Sequence, residues 1–144
     1  MAIRTARTAW NGGLMDGTGE VELTSSKAGT FDVTFPRRTA DAATGTSPEE
    51  LIAAAHSSCF AMQLSGEIAR AGGKPVGLDV TADVSLEPDP AGGLRITTIA
   101  IQVVGEVQDL DEAGFLQAAE QAKVGCPVSK ALTGTEITLD ASLA

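Results

Sequence analysis

The segment from Ser47 to Gly73 constrains the fold of this chain more than any other. Ser47-Pro48-Glu49-Glu50 has the form of a helix start, with Ser47 at the N-cap, Pro48 at the first helical position and Glu50 placed to close a capping box. From Leu51 through Ile52, Ala53 to Ala55, Cys59, Phe60, Ala61, Met62, Leu64 and Ile68 the segment is apolar on nearly all sides, which predicts a buried helix. Gly72-Gly73, with Pro75 just beyond, supplies the usual C-terminal stop. At 1.5 Å per residue such a helix is about 35 Å long. That is long for a chain of 144 residues, the size of a single domain. One subunit would struggle to cover it, so a second subunit is the expected lid.

Around this helix the period changes from helical to alternating. Val76, Leu78, Val80, Ala82, Val84 and Leu86 place an apolar residue at every second position, the pattern of a strand with one buried face. Phe31, Val33 and Phe35 form a shorter run of this kind, Thr135 to Leu143 another, and Val21 with Leu23 a weaker one. The stretch from Leu94 to Val107 is apolar on both faces in places, which predicts a central strand. Asp89-Pro90-Ala91-Gly92-Gly93 is turn chemistry, so Val76–Leu86 and Leu94–Val107 should form an antiparallel hairpin. A second helix is predicted from Asp111 to Lys123, and a short third one from Pro127 to Leu132 with Cys126 at its N-cap. The whole reads as one α+β domain over residues 1–144 with mostly antiparallel strands.

Charge and composition remove several function classes. Nineteen acidic against ten basic residues leave a net charge of −9, which repels phosphate backbones and anionic membranes. Aromatic residues are only 3%, with no Tyr, so stacking platforms for single-stranded nucleic acid are not expected either. No apolar run approaches the roughly 20 residues that span a bilayer. Arg4 and Arg7 are followed by no apolar stretch of the kind a secretory signal carries. The expectation is a cytoplasmic protein with neither nucleic acid nor membrane as partner.

Two cysteines, Cys59 and Cys126, stand far apart in different surroundings. In a reducing compartment a purely structural disulfide is not expected, and a single histidine, His56, leaves too few ligands for zinc. Cys59 lies in the middle of the apolar helix, where a free thiol can serve simply as a small buried hydrophobe. Cys126 lies between a Gly and a Pro at a helix start, a setting that favours thiolate. Two remote thiols fit a peroxidatic and a resolving cysteine, in which one becomes a sulfenic acid and the other condenses with it to a disulfide. His56, one turn before Cys59, is open to two readings, a base beside the thiol or a packed core histidine.

The surroundings of the two cysteines carry a resemblance. Gly45-Thr46-Ser47-Pro48-Glu49-Glu50-Leu51-Ile52-Ala53-Ala54-Ala55-His56-Ser57-Ser58-Cys59-Phe60 and Ala122-Lys123-Val124-Gly125-Cys126-Pro127-Val128-Ser129 closely resemble the two signature blocks of the OsmC/Ohr family of thiol-dependent peroxidases. Ala9-Trp10-Asn11-Gly12, Thr81 to Leu86 and Ile137-Thr138-Leu139-Asp140 extend the likeness over nearly the whole chain. The Ala-Ala-His form before Cys59 resembles the OsmC branch, since Ohr proteins typically carry Gly-Tyr there; Ser47 departs from a common Asn, and both are good N-caps.

What the resemblance implies is an OsmC-like fold, antiparallel sheets wrapped around long central helices in an intertwined homodimer. It also implies reduction of organic hydroperoxides without a bound cofactor, and recycling by a dithiol reductant such as a lipoylated protein. In such a site Cys59 is the peroxidatic thiolate and Cys126 the resolving thiol, with an Arg holding the thiolate and a Glu orienting that Arg. Arg37 and Arg38 are both candidates, Arg38 aligning better, and Glu49 matches the acidic position because a capping box would occupy Glu50. Glu49 stands ten residues before Cys59, roughly 15 Å along one helix axis. If Glu49 and an Arg act on Cys59, they should therefore reach it at a dimer interface. Phe60, Met62 and Ile52 are core residues that the resemblance would also place at an apolar mouth. Two rival readings of the thiols stand beside this one: a disulfide oxidoreductase acting on protein thiols, and a dimeric module binding an apolar ligand without catalysis.

Overall fold

A computed structural model describes residues 1–144 as two compact units, Met1–Leu51 and Ile52–Ala144. The first unit contains an antiparallel sheet of β1 (Arg7–Asn11), β2 (Thr18–Glu22) and β3 (Thr30–Val33), followed by the one-turn helix α1 (Phe35–Arg38). The expected strand through Phe35 therefore stops earlier. Thr34 takes the N-cap position and accepts a hydrogen bond from the Arg37 amide at 3.3 Å, and Pro36 fits the first turn of the helix that follows. The Phe31-Val33-Phe35 alternation thus crosses from a strand into a helix, and its parity says nothing about the arginines beyond it.

Helix α2 (Pro48–Arg70) begins at the end of the first unit and continues into the second. Its start follows from the sequence: Ser47 Oγ accepts from the Glu50 amide at 3.2 Å, the forward half of a capping box. Its end is a Schellman arrangement. Gly72 adopts φ +90°, Gly72 N–H donates to Ala69 O and Gly73 N–H to Ile68 O, which satisfies carbonyls that the helix leaves open.

The second unit is built on β4 (Lys74–Pro88), β5 (Leu94–Gln108) and β6 (Glu136–Leu143), with β5 in the centre as its two-sided apolar pattern requires. β4 and β5 form the expected antiparallel hairpin, its turn closed by Gly92 and Gly93 at φ +101° and +80°. Val76 leaves the alternation: the register shifts between Pro75 and Gly77, and Val76 is exposed while Leu78 to Leu86 keep the half-buried parity. The strands are mostly antiparallel, as expected; β6, paired parallel to β5, is the exception. Parallel neighbours need a crossover, and α3 (Glu112–Gly125) with α4 (Pro127–Ala131) provides it between β5 and β6.

The core of this unit lies between the sheet and the two longer helices. Phe60, Leu64 and Ile68, spaced at one face of α2, meet Ile99, Ile101 and Val103 of β5 and Phe115, Ala118, Ala119 and Ala122 of α3. Besides this stripe only Glu49 and His56 of α2 are buried within the chain; Met62 is 71% exposed. The all-round burial predicted from sequence is thus not achieved by one chain. No helix is long and apolar enough to cross a membrane.

One close approach fixes how α3 seats on the sheet. A Cβ added at Gly105 would lie 2.6 and 2.7 Å from the ring carbons of Phe115, which is wholly buried and cannot swing away. Gly105→Ala is therefore expected to destabilise the chain by about 1–3 kcal/mol, the usual range for overpacking. Urea denaturation would show it as a lower midpoint with an unchanged slope.

Candidate active site

The two thiols, remote in sequence, meet in the second unit. Cys59, midway along α2, and Cys126, between α3 and α4, are both free, and their Sγ atoms lie 3.0 Å apart in hydrogen-bonding contact. That is well outside the roughly 2.05 Å of a disulfide, so the pair is a dithiol poised for bond formation. Cys126 is completely buried, while Cys59 is part-exposed on an open hollow of about 330 Å³ lined also by Ser58, Met62, Gln63 and Pro127. A molecule arriving from solvent reaches Cys59 first.

Local structure explains the position of Cys126. It closes α3, donating its amide to Ala122 O, and it is the N-cap of α4, with Pro127 at the first helical position. The Gly125 that precedes it lies under Gln63 of α2; a Cβ there would sit 2.9 Å from the Gln63 side-chain nitrogen. A glycine at this position therefore lets the Cys126 turn approach α2 closely.

The electrostatics of the pair are unequal. Burial pushes the Cys59 thiol up, and the neighbouring Cys126 pushes it further, with the Val128 backbone opposing. Burial raises Cys126 too, but its polar neighbours, Cys59 first and then Ser129 and Val128, outweigh it and hold Cys126 below an ordinary thiol. A thiolate at Cys59 requires a positive group from elsewhere.

His56 is wholly buried one turn before Cys59, with its Nε2 2.7 Å from the Ser129 hydroxyl. Desolvation lowers its pKa, so the ring is neutral at pH 7, and its Nδ1 has no partner. Ser129 was not singled out from the sequence, although its place three residues after Cys126, one helical turn on, was a usable signal.

The first unit holds the other candidates. Arg38 and Glu49 form a bidentate pair: Arg38 Nε lies 3.0 and 3.2 Å from the two Glu49 oxygens and Nη2 lies 2.7 Å from Oε1. The Glu49 side chain is 9% exposed and that of Arg38 33%. Glu49 is the second residue of α2, where the helix end favours a carboxylate, and Arg38 closes α1. A hollow of about 400 Å³, mostly apolar and lined by Trp10, Leu14, Val33, Phe35 and Leu51 among others, has Arg38 in its wall. Arg37 does not join this pair; it lies across the backbone of Gly45 and borders a polar groove with Glu20 and Asp32. Each unit therefore assembles half of the candidate set, the dithiol in one and the Arg–Glu pair in the other.

The family model described as OsmC-like protein matches residues 40–141. The chain is 42% identical over 134 residues to peroxiredoxin OsmC of Escherichia coli, covering 93% of this chain and 92% of that protein. It is 31% identical over 105 residues to organic hydroperoxide resistance protein OhrB of Bacillus subtilis, covering 72% and 74%. Among solved structures, an organic hydroperoxide resistance protein from Elizabethkingia anophelis shares the fold with a TM-score of 0.78 at 26% identity, over 99% of each chain. With both cysteine blocks inside the matched span and the fold shared from end to end, the chain belongs to the OsmC-like family.

Proposed function

We propose that this chain is a thiol-dependent peroxidase that reduces organic hydroperoxides to alcohols in the cytoplasm as a homodimer. The Cys59 thiolate attacks the terminal peroxide oxygen, the O–O bond breaks, and the alkoxide takes a proton and leaves as the alcohol. Cys59 is then a sulfenic acid. Cys126 attacks its sulfur, the S–O bond breaks, water leaves, and a Cys59–Cys126 disulfide forms. A dithiol, such as a lipoyl group on a protein, returns the pair to the reduced state by exchange.

The observation that carries this reading is the 3.0 Å contact between two free thiols, one open to solvent and the other buried behind it. Burial and Cys126 raise the Cys59 thiol, so a thiolate there needs a cation, and Glu49 lies ten positions earlier along α2, which favours a partner subunit as its source. Arg38, oriented by Glu49, serves the Cys59 of the other subunit and stabilises both the thiolate and the charge that develops as the O–O bond breaks. The names of the E. coli and B. subtilis relatives, peroxiredoxin and organic hydroperoxide resistance protein, point to the same chemistry.

The test is hydroperoxide consumption by the purified chain with dihydrolipoamide as reductant. Catalytic turnover, faster with an alkyl or aryl hydroperoxide than with hydrogen peroxide, is the expected result. Dithiol exchange with protein substrates in the absence of any peroxide consumption would instead establish a disulfide oxidoreductase. Reversible binding of an apolar ligand without either reaction would establish a binding module.

A further inference from the structure

We infer that the His56–Ser129 hydrogen bond is a clamp that keeps Cys126 within bonding reach of Cys59, which makes both residues positioning residues for disulfide formation. The clamp rests on the reading of Cys126 as the resolving thiol. Successive turns of α2 meet the junction of α3 and α4 in reverse order along the chain. His56 Nε2 lies 2.7 Å from Ser129 Oγ, Cys59 Sγ lies 3.0 Å from Cys126 Sγ, and Gln63 lies over Gly125. The middle contact is the reacting one. Thiols are weak donors and acceptors, and Gly125 offers Gln63 no side chain to hold. The short contact at His56 is therefore the directional bond of the set, and it uses neither sulfur.

Burial explains why this bond matters to Cys126. Helix α4 (Pro127–Ala131) has five residues, and Ser129 is the one that is buried. Cys126 makes no side-chain hydrogen bond as its cap, and Leu132, just beyond the helix, is only partly buried against the core. The segment that follows Cys126 is thus anchored inward through a polar side chain whose partner stands one turn before Cys59. His56 is 0% and Ser129 5% exposed, so water scarcely competes for the bond, and removing either partner strands the other. Two apolar side chains would bury a similar surface but, being non-directional, would let α4 slide along α2; a hydrogen bond fixes one register. Disulfide closure needs such a register, because the sulfurs must come from 3.0 Å to about 2.05 Å within a narrow range of torsion.

The clamp acts on the step after Cys59 has become a sulfenic acid. The contact between two thiols is then gone, while the His56–Ser129 bond, which involves neither sulfur, stays in place. The Cys126 sulfur bonds to the Cys59 sulfur, the S–O bond breaks and water leaves; Cys126 is oxidised as the sulfenic sulfur is reduced. Without the clamp the Cys126 turn samples positions out of reach of Cys59. That freedom is lost again each time the disulfide forms, which lowers the effective concentration of one sulfur at the other.

The experiment equilibrates the full-length chain with glutathione and glutathione disulfide. Two protein thiols become a disulfide as one glutathione disulfide is reduced to two glutathione thiols. The ratio at equilibrium, read by acid quench, alkylation and intact mass, gives the effective concentration of the Cys59–Cys126 pair. Ser129→Ala and His56→Leu are each expected to lower it about tenfold. The double variant should lose no more than either alone, and His56→Gln, whose side-chain amide can still bond Ser129, should keep most of the parent value. A merely structural role for the pair would lower the urea midpoint and leave this ratio unchanged. An unchanged ratio in Ser129→Ala therefore overturns the clamp, as does a double variant whose loss is the product of the two single losses. The Ser129→Ala result stands by itself if His56→Leu does not fold. A parent chain that forms no Cys59–Cys126 disulfide would remove the reading of Cys126 on which the clamp rests. No peroxide enters the measurement, so a chain that shows the clamp and reduces no hydroperoxide would refute the proposed peroxidase function alone.

Discussion

Cys59→Ser is expected to abolish hydroperoxide turnover, with a loss on the order of a thousandfold or more because the nucleophile itself is gone. Cys126→Ser should behave differently. Its Cys59 can still attack, so one equivalent of peroxide is consumed in a burst, after which the chain stalls with one added oxygen atom on Cys59, detectable by intact mass and by trapping with a sulfenic-acid nucleophile. The unmutated chain treated with one equivalent should instead lose two hydrogen atoms and regain them with dithiol. This asymmetry follows from access: Cys59 borders the open hollow and Cys126 is completely buried. A burst in Cys59→Ser with no burst in Cys126→Ser would exchange the two roles, and unimpaired turnover in both would remove the thiols from the reaction.

The charge distribution makes that assignment a real question. Burial and its neighbour push Cys59 up, while Cys126, the sulfur with no access to solvent, is held below an ordinary thiol. An Arg brought to Cys59 reverses the preference, since a guanidinium close to a thiol lowers its pKa. In the proposed cycle Cys126 would then be the nucleophile of the second step, once Cys59 has been oxidised.

Much of this architecture is written locally. The start of α2 can be read from Ser47-Pro48 and its end from Gly72-Gly73, because caps and left-handed glycines act over a few residues. The β4–β5 hairpin follows from Asp89 to Gly93 for the same reason. The features hidden from the sequence depend on distant partners. The parallel pairing of β6 is decided by how α3 and α4 return the chain, not by anything in the Glu136–Leu143 alternation. The His56–Ser129 contact joins residues 73 apart, and nothing beside His56 predicts it. Arg38 and Glu49, eleven residues apart, are brought together by the α1 turn, which the Phe31-Val33-Phe35 alternation concealed by continuing a strand pattern into a helix. That one chain leaves part of α2 exposed is what its length and apolar surround predict, while periodicity reports apolar surface and not which molecule covers it.

The second large effect is expected at that Arg–Glu pair, and it separates stability from catalysis. Arg38→Met leaves the nearly buried Glu49 carboxylate without its partner, and removing one member of a buried pair costs about 3–5 kcal/mol. Glu49→Gln leaves Arg38, whose side chain is one-third exposed and can be hydrated, so it should cost only about 1 kcal/mol. The double variant Arg38→Met/Glu49→Gln removes the uncompensated charge altogether and should be more stable than Arg38→Met. Activity should follow a different order. Arg38→Met loses the cation for the Cys59 thiolate and the peroxide transition state, a drop of about 10²–10³ in kcat/KM. Glu49→Gln keeps the cation but loosens its orientation, for a smaller loss. In the double variant stability recovers and activity does not. Thermal denaturation and peroxide consumption measured on the four chains decide the matter: if activity rises with stability in the double variant, the pair is structural scaffolding, and if it stays low, Arg38 acts on the reacting atoms.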